Sequence, residues 1–211
     1  MTQRIHIFGG GTVQYVRSHM ALCAPAYGKT ARKLHSALLA AGVPAEQVVL
    51  HLTKMADYQS TMETNEDVAA RVGALIDDPT TRAIVFNVAL CDFGGQIDDV
   101  PSGKYAPRLQ SRDGDVMMRL QPAPKVLKHI KELRPDIMVV GFKTTSGDIP
   151  RRQVELAERQ IAECNVDLVW ANDTVTRQNL LVSGKDEFRS VQVGSREQLL
   201  TLLAEALEDL V

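Results

Sequence analysis

The stretch Ile5-His6-Ile7-Phe8-Gly9-Gly10-Gly11-Thr12 lies almost at the start of the chain and decides how the fold is interpreted. Its first four residues predict a short buried strand, and the three glycines and the threonine predict a turn at the carboxyl end of that strand. Glycines at such a turn leave backbone N–H groups open to a bound phosphate. The stretch is neither a P-loop nor a complete dinucleotide fingerprint. A phosphate cradle and an ordinary glycine loop are therefore both compatible with it.

The composition is that of an ordinary folded protein. Of the 211 residues, 45% are hydrophobic and 24% are charged, which suffices for the core of one α/β domain. The net charge of -2 argues against a nucleic-acid partner. The three cysteines and five histidines show no metal-ligand spacing, so we expect no metal site. Sparse cysteines, the lack of a long apolar run and the early first strand predict a cytoplasmic protein without membrane contact.

Strand and helix patterns alternate along the chain. Strands are predicted at residues 5–8, 48–50, 82–88, 116–120, 137–140 and 166–171, followed by a hairpin of residues 179–182 and 188–193 around Gly184-Lys185-Asp186. Helices are predicted at residues 27–42, 65–76, 124–133, 151–164 and 195–210, with Asn65 and Ser195 as N-caps. This alternation predicts a Rossmann-like, doubly wound α/β fold with a mainly parallel sheet, in one domain over residues 1–211.

Ligands of such sheets bind outside the carboxyl ends of the strands. Four segments follow apolar runs at those ends and are small or polar: residues 9–12, 89–93, 141–145 and 171–173. We expect them to converge on one site. The segment 94–115 is rich in Gly, Pro, Ser and Asp and has no clear periodicity, which predicts a long loop that is either functional or disordered.

Taken in order, these segments resemble the motifs of the phosphopantothenoylcysteine synthetase family. The resemblance is collinear over essentially the whole chain, and the ordered set is more specific than any single motif. Its motifs are Gly9-Gly10-Gly11-Thr12, Gly28-Lys29 at a helix start, Val88-Ala89-Leu90-Cys91-Asp92-Phe93, Arg108-Leu109-Gln110-Ser111, Pro124-Lys125, Val140-Gly141-Phe142-Lys143 and Asp167-Leu168-Val169-Trp170-Ala171-Asn172-Asp173.

The resemblance implies an acid–amino-acid ligase of coenzyme A biosynthesis. Such an enzyme activates the carboxylate of a phosphorylated acid, phosphopantothenate, with CTP or ATP and Mg²⁺. It releases pyrophosphate and joins the acyl group to the amine of cysteine. The resemblance also implies a homodimer in which the partner subunit completes the acyl site.

The same resemblance assigns roles to individual residues. It implies a mobile cationic flap at residues 94–115 with Arg108 and Lys104 as the catalytic candidates. The implied nucleotide-binding residues are Gly9, Gly10, Gly11, Thr12, Asp92, Phe93, Phe142, Lys143, Asn172 and Asp173, and the implied substrate-binding residues are Gly28, Lys29 and Ala89. Each has a structural alternative: Asp92 and Asn172 are also typical capping residues, Phe142 a core residue, and Lys29 and Lys143 solvated lysines.

Two departures from the family leave the function open. Arg108 stands where the family has a flap lysine, and Ala24-Pro25-Ala26-Tyr27 stands where the family has Asn-x-Ser-Ser before its Gly-Lys. The nucleotide site is therefore expected to match the family better than the acyl site. Three functions stay open: the synthetase itself, a related ligase for another carboxylic acid, and a non-catalytic nucleotide-binding homologue.

Overall fold

The computed structural model describes residues 2–184 and 191–211, and these form a layered α/β fold. The strands are β1 (Arg4–Gly11), β2 (Val13–Arg17), β3 (Met20–Cys23), β4 (Val48–Leu52), β5 (Thr81–Ala89), β6 (Phe93–Ile97), β7 (Met118–Pro122), β8 (Met138–Thr145), β9 (Leu168–Asp173), β10 (Asn179–Ser183) and β11 (Val191–Val193). The helices are α1 (Lys29–Ala40), α2 (Asn65–Ile76), α3 (Val126–Leu133), α4 (Pro150–Cys164) and α5 (Arg196–Glu208), with short 3₁₀ turns at Ala45–Gln47 and Ser111–Asp113.

Seven strands form the central sheet in the order β4-β1-β5-β8-β9-β10-β11. The five from β4 to β9 are parallel, and β10 and β11 add an antiparallel edge. Side chains alternate across the sheet, so one face packs on α2, α3 and α4 and the other on α1 and α5. The predicted Rossmann-like, mainly parallel fold is thereby confirmed. Residues 185–190 of the predicted hairpin lie outside the described residues.

Helix α5 begins as its sequence predicts. The Ser195 side chain accepts a hydrogen bond from the Gln198 amide, and the Gln198 side chain accepts one from the Ser195 amide, which completes a capping box. The N-cap predicted for α2 is wrong by one residue. Thr64 is the cap and pairs with Asp67, because the β-region backbone of Thr64 itself places the threonine oxygen over the first turn. The Asn65 side chain is thus free to bond elsewhere.

The turn predicted at Gly9 is also wrong, because β1 continues through all three glycines. Gly9, Gly10 and Gly11 pair with residues 87–89 of β5 in the parallel register. A Cβ at Gly9 would lie 2.5 Å from the Ala31 Cβ of α1, and one at Gly11 would lie 1.9 Å from the Ala24 carbonyl oxygen. The glycines let α1 and the segment before it lie directly on the end of β1.

Two small antiparallel sheets lie outside the central sheet. β2 pairs with β3, and β6 pairs with β7 to form what we call the arm, residues 93–122. The Arg17 guanidinium is buried and donates a 2.7 Å hydrogen bond to the Ile97 carbonyl, which ties β2 to the arm. The loop predicted at residues 94–115 is thus wrong at its start, which is strand β6. The strand predicted at residues 116–120 lies at Met118–Pro122, and the β2–β3 hairpin was not predicted.

A pair of buried histidines lies between β1 and β4. His6 Nδ1 is 3.0 Å from His51 Nε2, Arg71 Nε donates to His51 Nδ1 at 3.3 Å, and the His51 ring stacks on Phe8. Burial, followed by the charge of Arg71, lowers the pKa of His6 to about 4 and that of His51 to about 3. Both rings are therefore neutral in the folded protein at neutral pH.

We expect Gly11→Ala to lower the free energy of unfolding by about 1–3 kcal/mol, the usual cost of overpacking, because the new Cβ would overlap the Ala24 carbonyl. Urea unfolding measures this. Gly73→Ala is the control, since no atom lies within 4 Å of the added Cβ and α2 should gain up to ~1 kcal/mol of helix propensity. Equal stability of Gly11→Ala and the unmodified protein would contradict the packing role.

The histidine pair predicts a loss of stability on mild acidification. The unfolded chain protonates these rings near pH 6.5 and the folded one only near pH 3–4. Their contribution to stability is therefore complete above about pH 6.5 and is lost as the pH falls from there towards pH 3–4. Each ring contributes a loss on the order of 2 kcal/mol by pH 5. Urea unfolding at pH 8 and pH 5 should show a smaller loss in His51→Gln. The exposed-site control His19→Gln should match the unmodified protein, and an equal loss in all three would refute this origin.

Candidate functional site

A cavity of about 740 Å³ lies over the carboxyl ends of β5, β8 and β9. The chain enters the sheet at β1, builds β4 on one side and β5 on the other, so the strand order reverses beside this edge. Such reversal points are where α/β sheets bind ligands. Segments 24–30, 90–92 and 123–127, one face of α4 and Arg196 complete the walls.

The cavity straddles the sheet edge and has two lobes. Phe142 packs with the core on the α1 and α5 side, whereas Gly141 lies under Leu127 and Gln160 on the α3 and α4 side. We call the first the α1–α5 lobe, lined by Gly28, Lys29, Thr30, Phe142, Asn172 and Arg196. We call the second the α3–α4 lobe, lined by Lys125, Val126, Leu127, Leu156, Arg159 and Gln160. A ligand lying across the edge would contact both lobes.

The α1–α5 lobe contains the start of α1. Gly28 precedes the helix with φ 68°, and no side chain caps the first turn. The positive φ favours glycine, and a Cβ there would come within 3.0 Å of the Leu52 side chain. An uncapped first turn presents N–H groups and the positive end of the helix dipole, and Gly28, Lys29 and Thr30 line the cavity at this point.

An aromatic stack forms the wall beside this helix. The rings of Phe142 and Trp170 stack with their centroids 5.6 Å apart, and Trp170 is almost fully buried. The Arg196 guanidinium lies 5.9 Å from the Trp170 ring centroid and donates a hydrogen bond to Thr30 Oγ1. Sequence reasoning missed Arg196. A single arginine in the first turn of the last helix gives no local signal, because only the tertiary fold brings it to α1.

The α3–α4 lobe combines apolar walls with polar groups. Lys125 Nζ donates to Asp92 Oδ1 at 2.6 Å at the rim, and both side chains are largely exposed. Gln160 Oε1 is buried, and within the described part of the chain it has no hydrogen-bond partner. A buried acceptor without a partner is costly, so a ligand that donates an N–H or O–H to it would be favoured.

The cavity wall is more positive than the protein as a whole. Its cations are Lys29, Lys125, Lys143, Arg159 and Arg196, and its carboxylates are Asp92 and Glu163. The complete chain carries a net charge of -2. This local excess of cations favours an anionic ligand.

Seven of the residues predicted from the sequence line this cavity. They are Gly28, Lys29, Ala89, Asp92, Phe142, Lys143 and Asn172. Asn172 Oδ1 accepts a 3.2 Å hydrogen bond from Thr144, its neighbour on β8. The structure thus brings residues from four distant parts of the sequence into one wall. Their binding roles stay predictions.

The first predicted cradle lies elsewhere: Gly9, Gly10, Gly11 and Thr12 are buried and are not among the lining residues. Thr12 Oγ1 donates to Asn65 Oδ1 at 2.6 Å and accepts from the Cys91 amide at 3.0 Å, while Asn65 Nδ2 donates to the Cys91 carbonyl. This network fixes the cavity rim at residues 90–92. Burial raises the pKa of the Cys91 thiol, which makes it a poor nucleophile.

Asp173 and Phe93 also lie outside the cavity wall. The Asp173 carboxylate accepts hydrogen bonds from Thr145 Oγ1 and from the amides of Gly147, Asp148, Val175 and Thr176. Burial alone would raise its pKa, but these donors outweigh burial and hold the pKa well below the ordinary value. Asp173 therefore organises the loops after β8 and β9. Phe93 is half-exposed at the start of the arm.

Neither predicted catalytic cation lines the cavity. Lys104 forms an ion pair with Glu63 and lies 5.2 Å from the Tyr15 ring centroid, and Tyr15 donates to Glu63 at 2.9 Å. Arg108 is exposed on the arm. The arm nevertheless joins the cavity at both of its ends, since Asp92 and Ala123 flank it and line the wall.

Within residues 2–184 and 191–211, no group of three or more His, Cys, Asp or Glu residues is arranged to hold a metal ion. None of the described helices has the length and apolarity needed to cross a membrane.

Comparison with known proteins finds chains that are similar to this one in sequence and in fold. A family model described as "DNA/pantothenate metabolism flavoprotein C-terminal domain" matches residues 3–204. The coenzyme A biosynthesis bifunctional protein CoaBC of Thermococcus kodakarensis is 27% identical over 139 residues, which are 65% of this chain and 31% of that protein. The aligned region thus spans about a third of this curated relative.

Solved structures confirm the fold. The DNA/pantothenate metabolism flavoprotein from Streptococcus pneumoniae superposes with a TM-score of 0.78 at 16% identity, covering 99% of both chains. A Cab2 mutant in complex with phosphopantothenate-cysteine superposes with a TM-score of 0.72 at 15% identity, covering 98% of this chain and 86% of that one. Because the family model matches nearly the whole chain, the protein belongs to the family of DNA/pantothenate metabolism flavoprotein C-terminal domains, and the resemblance to phosphopantothenoylcysteine synthetases is confirmed.

Proposed function

We propose that this chain is a nucleotide-dependent ligase of the phosphopantothenoylcysteine synthetase type. In the first step a carboxylate oxygen of the acid attacks the α-phosphorus of CTP or ATP, supplied as the magnesium complex, and pyrophosphate leaves. In the second step the amine of cysteine attacks the acyl carbon, loses a proton and displaces the nucleoside monophosphate. Family membership supports this chemistry, and the Cab2 structure holds phosphopantothenate-cysteine.

The observation that carries the proposal is the cationic two-lobed cavity at the sheet edge. Both reactants of the first step are anions, so their approach is opposed by charge repulsion. Lys29, Lys143 and Arg159 line the cavity, and among the described residues none of the three forms an ion pair. Cations that are already in place offset the repulsion and the charge that develops on the α-phosphate.

The lining residues have complementary roles in this proposal. Lys29 and the first turn of α1 bind a phosphoryl group, and the exposed edge of Phe142 meets the base. Asn172, aligned by Thr144, supplies amide contacts. Asp92 contacts the nucleotide, and Ala89 borders the acid. The buried Cys91 plays no covalent part. Gly9, Gly10, Gly11, Thr12 and Asp173 support this wall from behind the lining residues.

The arm supplies the catalytic cations in this proposal. Lys104 or Arg108 would reach the ligands only if the arm folds over the cavity, and closure would also keep water away from the acyl-nucleotide. The arm carries the exposed apolar side chains of Tyr105, Met117 and Leu120. This surface supports the further proposal of a homodimer in which the arm packs on a partner subunit. The proposal places this homodimer in the cytoplasm.

A related ligase for another carboxylic acid is the second candidate. Ala24 and Ala26 line the cavity where the synthetase family has polar residues, and Tyr27 stands exposed at the rim. Small apolar side chains cannot form the hydrogen bonds that an asparagine or serine would give to a substrate. This observation favours an acid with fewer polar groups near the reacting carboxylate.

We expect the protein to release pyrophosphate from CTP or ATP when phosphopantothenate and cysteine are both present. Lys29→Met should raise the nucleotide or acid KM about tenfold or more, because a charge-assisted contact is lost. Lys33→Met is the control, since Lys33 lies one turn later on α1 and pairs with Glu197 on the surface. No turnover with either nucleotide would exclude phosphopantothenate as the substrate. A screen of other acids for pyrophosphate release then tests the second candidate.

The arm is tested with Lys104→Ala and Arg108→Ala. We expect removal of the catalytic cation to lower kcat about a hundredfold or more, because that cation stabilises charge in the transition state. Arg112→Ala on the same arm, where Arg112 pairs with Asp113 at the surface, should retain full activity. Steady-state kinetics measure this, and unchanged kcat in both variants would remove the arm from the mechanism.

A further inference from the structure

Arg196 is a cavity residue that the family motifs do not contain. It is the first residue of α5, and its side chain reaches across to Thr30 on α1. The adjacent Glu197 instead pairs with Lys33, at 3.4 Å. Two neighbouring residues of α5 therefore contact α1 in different ways. Glu197 makes an exposed surface pair, whereas Arg196 lies on the cavity wall.

The environment of Arg196 holds its guanidinium in one orientation. Trp170 lies under the guanidinium, and the Trp170 ring is itself fixed by Phe142 and by a 3.3 Å hydrogen bond from its Nε1 to Asn179 Oδ1. Thr30 is almost fully buried and accepts one N–H. A stacked guanidinium with one edge anchored loses little further freedom when it binds a ligand.

The hydrogen-bonding capacity of Arg196 exceeds what the protein uses. A guanidinium has five N–H donors, and within the described residues Thr30 is the one acceptor that it meets. Its charge is likewise not matched by a salt bridge among those residues. The planar fork of arginine fits the paired oxygens of a phosphoryl or carboxylate group. The wall of the cavity beside Arg196 carries more cations than carboxylates, so the ligand group that suits this position is anionic.

We infer that Arg196 is a specificity-determining residue that contacts a phosphoryl group of the ligand in the α1–α5 lobe. This inference rests on the proposed function for the identity of the ligand, which is either the nucleotide or the phosphorylated acid. Through Arg196, the C-terminal helix becomes part of the ligand site. The Trp170 and Thr30 contacts act as its positioning partners.

Calorimetric titration of the full chain tests the inference, with CTP, ATP, phosphopantothenate and inorganic pyrophosphate as separate probes. Arg196→Met should weaken binding of at least one phosphorylated ligand about ten- to a hundredfold, the loss expected for a charge-assisted contact. Arg196→Lys keeps the charge but not the fork or the stack, and should recover only part of the affinity. Lys33→Met is the matched control at the same helix contact and should bind every probe normally.

The outcomes separate the possible sources. A loss confined to CTP and ATP identifies the nucleotide phosphates, and a loss confined to phosphopantothenate identifies the phosphate of the acid. Unchanged affinities in Arg196→Met would overturn the inference while leaving the ligase proposal intact, and a lower Tm with unchanged binding would show a purely structural tie. If the protein binds pyrophosphate but neither a nucleotide nor phosphopantothenate, the ligase proposal is refuted. The inference about Arg196 then holds if Arg196→Met weakens pyrophosphate binding, and it fails if that affinity is unchanged. Binding of no probe would overturn both.

Discussion

The close contact between the end of β1 and the segment that leads into α1 is the constraint on which the cavity depends. Gly9 and Gly11 have no Cβ, so Ala31 and the Ala24 carbonyl occupy the space that side chains would fill. This contact sets the first turn of α1 at the carboxyl edge of the sheet, beside the ends of β5 and β8. The glycines therefore act on the ligand site through packing, and α1 rather than the glycine backbone faces the cavity.

The alternation of side chains along β8 explains why one cavity has two different lobes. Phe142 belongs to the face covered by α1 and α5, whereas Gly141 belongs to the face covered by α3 and α4. The lack of a side chain at Gly141 lets Leu127 and Gln160 come down to the strand. Strand β8 thus contributes the aromatic ring of Phe142 to the α1–α5 lobe and the bare backbone of Gly141 to the α3–α4 lobe. At this junction, cations from both faces of the sheet can approach the same bound anion.

The sequence predicted the central sheet well because its strands and helices have strong apolar periodicity. It failed where local pattern and tertiary contact disagree. The β2–β3 hairpin consists of short, partly exposed strands whose pairing depends on the buried Arg17 and the arm. The lining residues near Gly28 and Phe142 could be predicted, because strand ends and helix starts are visible in the sequence. Arg196 could not be found in this way, because its contact with Thr30 joins residues at opposite ends of the chain.

The position of Lys104 is compatible with an arm that moves. Its ion pair with Glu63 is half-exposed to water on the lysine side, and the neighbouring Lys54 also approaches Glu63, at 3.5 Å. If Lys104 left, Lys54 and the Tyr15 hydroxyl would still satisfy the Glu63 carboxylate. Exposed ion pairs contribute little to stability, so releasing Lys104 costs less than breaking a buried pair would. A cavity filled with phosphates would then attract the free cation, and charge supplied by the ligand would itself favour closure.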